Sequence, residues 1–523
     1  MIGVGLTSRL LELFVTQVSP EILSAPADEK LPIASISESL RKGVADTFTD
    51  VTLQQRALSW LTELHAGGKA SRLDLLNNYA WVLVVSFVVA LCVTPIMRRL
   101  AVANGVIDRP SDPRKVHRQP IAYLGGAAVF CGIMAGILFS FVGTAMPSLM
   151  NFHPSKFADE LGSHSLVPWS ILLGMTVIAV IGLIDDVVGI SPRTKIAGQL
   201  FAAAALAVDN VGVQVAKGVL QPIGELFGNP DFVFTIPLGF EVNFTIPLVG
   251  QGVHFNHIPI DVVYWAGTAI IALAVLGACN ASNLIDGLDG LLTGTTAICT
   301  GGLLIVALGL AIVDDGPRDA QRIVLCMAVL GACLGFLPHN FSPANIFLGD
   351  CGSLLLGYMT IVIVLTLGDT GRTHLVFAGL VIYSIPLIDT ALAIVRRKLA
   401  GKSISAADSD HLHHMLKRAL GVKGAVLVLY GIGVGFAGLG VWISLGRARM
   451  VYLLALVLVS YIGVTAIKIA RRKHIEEQAA AYDARRAAGL GTRPTLATET
   501  PSASNAEPEL DSSSPGPVSV TAR

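Results

Sequence analysis

Asn280-Ala281-Ser282-Asn283-Leu284-Ile285-Asp286-Gly287-Leu288-Asp289-Gly290-Leu291 joins two almost uninterrupted apolar runs, 262–280 and 291–313. Runs of this kind cross about 30 Å of hydrocarbon as helices, at roughly 20 residues each. Two amides, two carboxylates and two glycines therefore stand where one spanning helix ends and the next begins. Acids beside hydrocarbon are costly to hold, so in such a place they mark a functional site by default. The plainer reading, that they only announce polar loops, is weakened by their company. Asp185-Asp186 and Asp350 occupy equivalent helix ends, and the same side of the membrane collects all three groups.

Outward from that stretch the composition agrees. Of 523 residues, 53% are hydrophobic and 14% charged, with mean hydropathy +0.66. Soluble domains carry about a quarter charged residues, so the chain reads as an all-α polytopic membrane protein. Helices are expected because each backbone polar group in hydrocarbon must be paired within its own segment. Eleven runs qualify: 79–97, 121–142, 167–185, 195–209, 262–280, 291–313, 322–338, 353–367, 375–395, 424–445 and 450–468. The run 195–209 is short and reads as a tilted or partly buried helix.

Basic residues in short loops set the orientation. Arg98, Arg99, Arg109, Arg114, Lys115 and Arg118 follow the first run. Arg396, Arg397, Lys398, Lys402, Lys417, Arg418 and Lys423 follow the ninth, and Lys468, Arg471, Arg472 and Lys473 follow the eleventh. All are odd-numbered exits, which places them in the cytoplasm, the N-terminus outside and the C-terminus inside. Arg447 and Arg449 are the main dissent.

Three domains are expected: an extra-membrane arm over 1–78, a transmembrane domain over 79–470 and a disordered cytoplasmic tail over 471–523. The arm carries no motif, and Arg9 and Glu12 interrupt its apolar start, which argues against a cleavable signal peptide. The long outer loop 210–261 holds a near-repeat, Phe234-Thr235-Ile236-Pro237-Leu238-Gly239 and Phe244-Thr245-Ile246-Pro247-Leu248-Val249. Its β-formers, turned at a glycine, predict a small hairpin on the outer face. Seven cysteines, mostly inside apolar runs, form no CxxC and read as small buried residues. A net charge of zero gives no ground for a nucleic-acid partner.

Every polar motif of note falls in a cytoplasmic loop. In order they are Asp108-Arg109-Pro110, Arg114-Lys115-Val116-His117 and Gly125-Gly126; Asp185-Asp186-Val187-Val188-Gly189 with Lys195; the opening stretch; His339-Asn340 and Phe347-Leu348-Gly349-Asp350-Cys351-Gly352-Ser353; and Asp408-Ser409-Asp410-His411-Leu412-His413-His414. Carboxylates converging at one membrane face repel one another unless a cation sits among them, and oxygen-only ligands favour a hard ion such as Mg²⁺. Mg²⁺ between carboxylates and phosphate oxygens is an arrangement for phosphoryl transfer. Arg, Lys and His in neighbouring loops would bind phosphates. A site at the water–lipid boundary receives a soluble nucleotide from one side and a lipid phosphate from the other. Asn283, Asp286 and Asp289 are three apart, so successive pairs share a helix face.

NASNLIDGLDGL, DDVVG, NIFLGDCGS and DHLHH resemble the motifs of the polyprenyl-phosphate N-acetylhexosamine-1-phosphate transferases, a glycosyltransferase family 4 type. The match covers roughly 79–470. The HLHH form resembles the branch that primes O-antigen, enterobacterial common antigen, teichoic acid or arabinogalactan synthesis; the muramoyl-pentapeptide branch usually shows three consecutive histidines. The resemblance implies that an undecaprenyl or other polyprenyl phosphate attacks a UDP-N-acetylhexosamine, most readily UDP-GlcNAc, and releases UMP, in the bacterial plasma membrane. It implies Mg²⁺, with Mn²⁺ as an alternative, held by Asp350 and Asp286. It assigns Asp185, Asp186, Asp286, Asp289, His411, His413 and His414 to the catalytic set. Lys115, His117, Lys195, Asn283, Asn340 and Phe347 fall to substrate binding, with Phe347 stacking on uracil. Relatives of this kind often dimerise, so a homodimer is also expected. Ala122 and Tyr123 depart from the pattern, standing where relatives often have proline and a basic residue. A muramoyl-pentapeptide transferase is the alternative within this chemistry. A proton-coupled carrier is the rival outside it, but carriers hold their acids near the midplane on paired broken helices.

Overall fold

A computed structural model describes residues 72–108, 120–143, 167–229, 231–245, 252–313, 318–369, 371–399, 401 and 412–446. Beyond these it describes 460, 464, 468, 471–472 and 475–484. The elements in chain order are α1 (Arg72–Ala103), β1 (Ile107–Asp108), β2 (Ile121–Ala122), α2 (Gly125–Gly143), α3 (Trp169–Val188), α4 (Pro192–Val208), a 3₁₀ turn (Val213–Ala216), α5 (Lys217–Leu226), β3 (Val233–Thr245), β4 (Gly252–Asp261), α6 (Val262–Ile285), α7 (Leu291–Val313), α8 (Asp319–Asn340), α9 (Gly349–Thr366), α10 (Thr373–Ile382), α11 (Ser384–Leu399) and α12 (Leu412–Ser444).

Eight of these helices, α1, α2, α3, α6, α7, α8, α9 and α12, are long and apolar enough to cross a membrane. Counting each of two bent pairs as one span brings the number to as many as ten among the described residues. The 3₁₀ turn and α5 continue α4 after a bend of 83°, and α11 continues α10 after one of 81°. The runs expected as single straight spans over 195–209 and 375–395 thus belong to sharply bent helix pairs, the geometry of a broken span or a re-entrant loop. The run 450–468 lies almost wholly outside the described residues. Within α12 the helix is interrupted at Gly421, whose φ of 71° suits a residue without a Cβ.

The hairpin differs from expectation. One strand, β3, passes through the first repeat copy and into the second, and pairs antiparallel with β4 from Val233↔Asp261 to Thr245↔Gly252. Among the described residues the copies do not pair with each other. The register slips between Pro237 and Val242, where proline has no N–H to give the ladder. Of the expected tail, 485–523 lie outside the described residues and residues 475–484 are helical. They are rich in Ala and Glu, good helix formers, and Arg472 Nε reaches Glu476 Oε1 at 3.0 Å.

α9 is the axis of the bundle. Its most apolar stretch is 94% buried, as expected of a helix that is hydrophobic all round; α2, α3, α6, α7 and α8 pack on it. Close approach fixes its first turn. A Cβ on Gly182 of α3 would lie 2.5 Å from Cys351 Cα, and one on Gly126 of α2 would lie 2.1 Å from Gly352 N. The connection into α9 is held by main-chain bonds: Phe347 N donates to Ala122 O (2.8 Å), Gly125 N to Phe347 O (3.0 Å) and Gly126 N to Leu348 O (2.8 Å). The seven cysteines are free, and Cys279, Cys299, Cys326, Cys333 and Cys351 are buried.

Candidate active site

The helix ends meet where the motifs predict. Asp350 sits in the first turn of α9. Asn283, near the end of α6, donates through Nδ2 to Asp350 Oδ1 at 2.8 Å and to Ser353 Oγ at 3.0 Å. Lys195, in the first turns of α4, donates Nζ to Asp350 Oδ2 and lies 2.5 Å from Asp185 Oδ2. Asp185 Oδ1 accepts Ile190 N at 2.8 Å. Side-chain exposures of 13% for Asp185, 24% for Lys195 and 28% for Asp350 leave this trio open to a ligand.

Asp186 does something else. Its two carboxylate oxygens accept the backbone N–H groups of Asp350 (2.7 Å) and Cys351 (3.0 Å). A carboxylate at a helix N-terminus satisfies donors that have no partner within the helix and complements the helix dipole. With both oxygens so engaged, Asp186 holds Asp350 in place. Asp289 is also structural in its contact: its Oδ2 accepts Ala344 N at 3.1 Å, tying the turn after α6 to the segment leading into α9.

Asp286 is the C-terminal cap residue of α6. Among the described residues no hydrogen-bond donor or cation reaches its carboxylate. Burial, reinforced by the charges of Asp350, Asp186 and Asp289, pushes it up to about 8. An acid so placed lacks a counter-ion. Among the described residues no three His, Cys, Asp or Glu side chains form a metal cage by themselves. The carboxylates of Asp286 and Asp350 are oxygen donors, the kind a hard cation takes.

Phe347 is half-buried and meets Tyr123 edge-on, with ring centroids 5.7 Å apart at 70°. Burial raises the Tyr123 phenol, and the charges of Asp108, Asp186, Asp286 and Asp350 add to it. The residue that departs from the expected pattern thus faces the acids. Asn340, expected to contact the substrate, braces the segment before α9. It is buried, its Oδ1 accepts Thr293 Oγ1 (3.0 Å) and its Nδ2 donates to Ile346 O (3.1 Å). Both ends of its amide are engaged there. His413 is buried and His414 half-buried, their rings 4.3 Å apart. Lys115, His117 and His411 lie outside the described residues.

Comparison with known proteins adds the family. The profile of glycosyl transferase family 4 matches residues 168–368. A probable undecaprenyl-phosphate N-acetylglucosaminyl 1-phosphate transferase of Bacillus subtilis is 31% identical over 356 residues, spanning 68% of this chain and 82% of that relative. This chain belongs to glycosyl transferase family 4. Another relative, a decaprenyl-phosphate N-acetylglucosaminephosphotransferase of Mycolicibacterium smegmatis, is 32% identical over 425 residues, 76% of this chain and 90% of its own length. A phospho-N-acetylmuramoyl-pentapeptide-transferase of Bacillus cytotoxicus is 27% identical over 373 residues, 69% and 96% respectively. This family 4 enzyme is thus a multi-pass membrane phosphotransferase. Two of its site contacts are absent from the motif reading. Ser353 shares Asn283 with Asp350, and its place in FLGDCGS was the signal. Asp389 pairs with His413, and the signal was an acid inside an apolar run.

Proposed function

We propose that this protein transfers N-acetylhexosamine-1-phosphate, with GlcNAc as the first choice of sugar, from its UDP-sugar to undecaprenyl or another polyprenyl phosphate. UMP leaves and a polyprenyl-diphospho-sugar remains in the membrane. The observation that carries this reading is the meeting of Asp185, Lys195, Asn283, Asp286 and Asp350 at one end of the bundle. Names borne by two relatives at 31–32% identity support the same acceptor and sugar. The acids stand at helix ends rather than midway along spans, which suits a surface reaction better than a carrier. The basic exits of α1 (Arg98, Arg99) and α11 (Arg396, Arg397, Lys398) support a cytoplasmic active site in a bacterial plasma membrane.

An oxygen of the lipid phosphate attacks the β-phosphorus of the UDP-sugar, and the bond to the α-phosphate breaks. A phosphate monoester is already largely ionised at neutral pH, its second pKa being about 6. Asp185 is therefore not required as a base, and its place is to orient Lys195, whose ammonium reaches phosphate oxygens beside Asp350. Asp286 and Asp350 would hold Mg²⁺, or Mn²⁺ in its place. The bound ion would offset charge on the diphosphate and on the departing UMP. Asn283 orients Asp350, and Asp186 fixes its backbone. Phe347, propped by Tyr123, offers an aromatic face to uracil. Lys115, His117, His411 and His414 would bind phosphate in this reading.

The test is mass spectrometry of the lipid product after the purified protein, in nanodiscs with undecaprenyl phosphate, meets a panel of UDP-sugars. Polyprenyl-diphospho-GlcNAc with equimolar UMP is the expected result. A product formed only from the UDP-muramoyl-pentapeptide would replace the sugar assignment, and no lipid product from any donor would overturn the reaction.

A further inference from the structure

Asp389 lies in α11, within a run that reads as part of a span, and is 1% exposed. A buried acid is costly unless it is paired and hydrogen-bonded. Its Oδ1 accepts the backbone N–H of Leu412, where α12 begins, at 2.8 Å. Its Oδ2 lies 3.3 Å from Nδ1 of His413, which is also 1% exposed. The other ring nitrogen faces the turn after α6: a Cβ on Gly287 would come within 2.7 Å of His413 Nε2. A line of contacts therefore runs from Asp389 through His413 to Gly287, the residue after Asp286.

A carboxylate accepts and does not donate, so the contact places the imidazole proton on Nδ1 and leaves Nε2 turned to the glycine. A carboxylate behind a histidine fixes both its tautomer and its ring plane. Any side chain at position 287 would push the ring out of that plane. We propose that Asp389 is a positioning residue of this site: it locks His413 against Gly287 and thereby fixes the turn that presents Asp286. It acts through His413 and not on the substrate. The inference rests on the reading above that Asp286 serves the transfer.

Asp389→Asn keeps the size and an acceptor for Leu412 N but turns an N–H toward Nδ1, which drives the imidazole proton to Nε2. In full-length protein in nanodiscs, kcat should fall about tenfold or more, while KM for UDP-GlcNAc stays within about twofold, as expected when binding is untouched. Asp389→Glu should recover part of the loss. Combining Asp389→Asn with Gly287→Ala should cost no more than the worse single change, because both displace one ring. Independently of turnover, histidine ¹⁵N NMR reads the tautomer, with the His413 signal assigned by its loss in His413→Gln. Nδ1–H in the parent protein and Nε2–H in Asp389→Asn are expected. An unchanged tautomer in Asp389→Asn, full kcat in that variant, or additive losses in the pair would each overturn the proposal. If the parent protein released no UMP from any UDP-sugar, the transfer reading would fail, and the NMR arm alone would still decide whether Asp389 positions His413.

Discussion

The two ends of the helix bundle both bury charge, and they do it in opposite ways. At the end away from the acids, Arg318 Nε lies 3.1 Å from Asp369 Oδ2, and Arg322 pairs with Asp319 while giving Nε to Thr366 O at 2.9 Å. Gly212 N donates to Asp369 Oδ1 at 3.0 Å, and Arg318 Nη2 to Asp209 O at 3.1 Å. Two arginines face two aspartates there, with side-chain exposures between 0% and 10%. At the other end stand Asp185, Asp186, Asp286 and Asp350, and among the described residues the one cation paired with any of them is Lys195, held by Asp185 and Asp350. One end is a neutralised, closed brace. The other keeps an excess of negative charge, partly open to solvent, that only a ligand can balance. Buried charge by itself marks neither function nor stability; the imbalance and the access distinguish the two.

That contrast should break under substitution in two distinguishable ways. Asp350→Asn should lower turnover by about a hundredfold or more, in line with the loss of a preorganised charge contact, with little change in unfolding temperature. Arg322→Met at the braced end should do the reverse. It removes the arginine that Asp319 faces, which costs about 3–5 kcal/mol of stability, read by thermal unfolding in detergent, while KM for the UDP-sugar stays unchanged.

The imbalance also predicts a proton. With Asp286 pushed up to about 8, the cation-free protein holds a proton there at pH 7, and an arriving Mg²⁺ must displace it. Cation binding at pH 7 should therefore release about one proton, the release fading as pH rises past that value, and affinity should strengthen over the same interval. Titration calorimetry in buffers of different ionisation heat measures this; uptake of a proton, or no exchange, would contradict it. The smallest effect concerns residues 485–523, whose deletion should leave turnover within about twofold, as for a solvated terminus.

Much of the site was legible in the sequence because helix ends are legible. Apolar runs place their own termini, so Asp185, Asn283, Asp286 and Asp350 could be put on one side by counting runs. What stayed hidden depends on direction, which hydropathy does not carry. The bend at Tyr383 falls inside a run that reads as one span, and its anchors, Ser282 Oγ and Ala278 O, come from a helix about a hundred residues earlier. Asn340 shares a motif with site residues, yet its amide is spent on Thr293 and Ile346. Asp186 and Asp185 look interchangeable in the sequence. Only the close approach of α3 to α9 gives one to backbone amides and the other to a lysine. The first copy of the repeat and the start of the second share one strand, because pairing register is a matter of partners.

The central claim is that the unbalanced end balances its charge with a divalent cation and the donor diphosphate. The most direct measurement is UMP release from UDP-GlcNAc and undecaprenyl phosphate as Mg²⁺ is titrated, run side by side on the parent protein, Asp350→Asn and Arg322→Met. The account predicts Mg²⁺-dependent release in the parent, the same Mg²⁺ dependence in whatever Arg322→Met protein remains folded, and none in Asp350→Asn. Release that ignores Mg²⁺, or equal turnover in the Asp350→Asn protein, would contradict it.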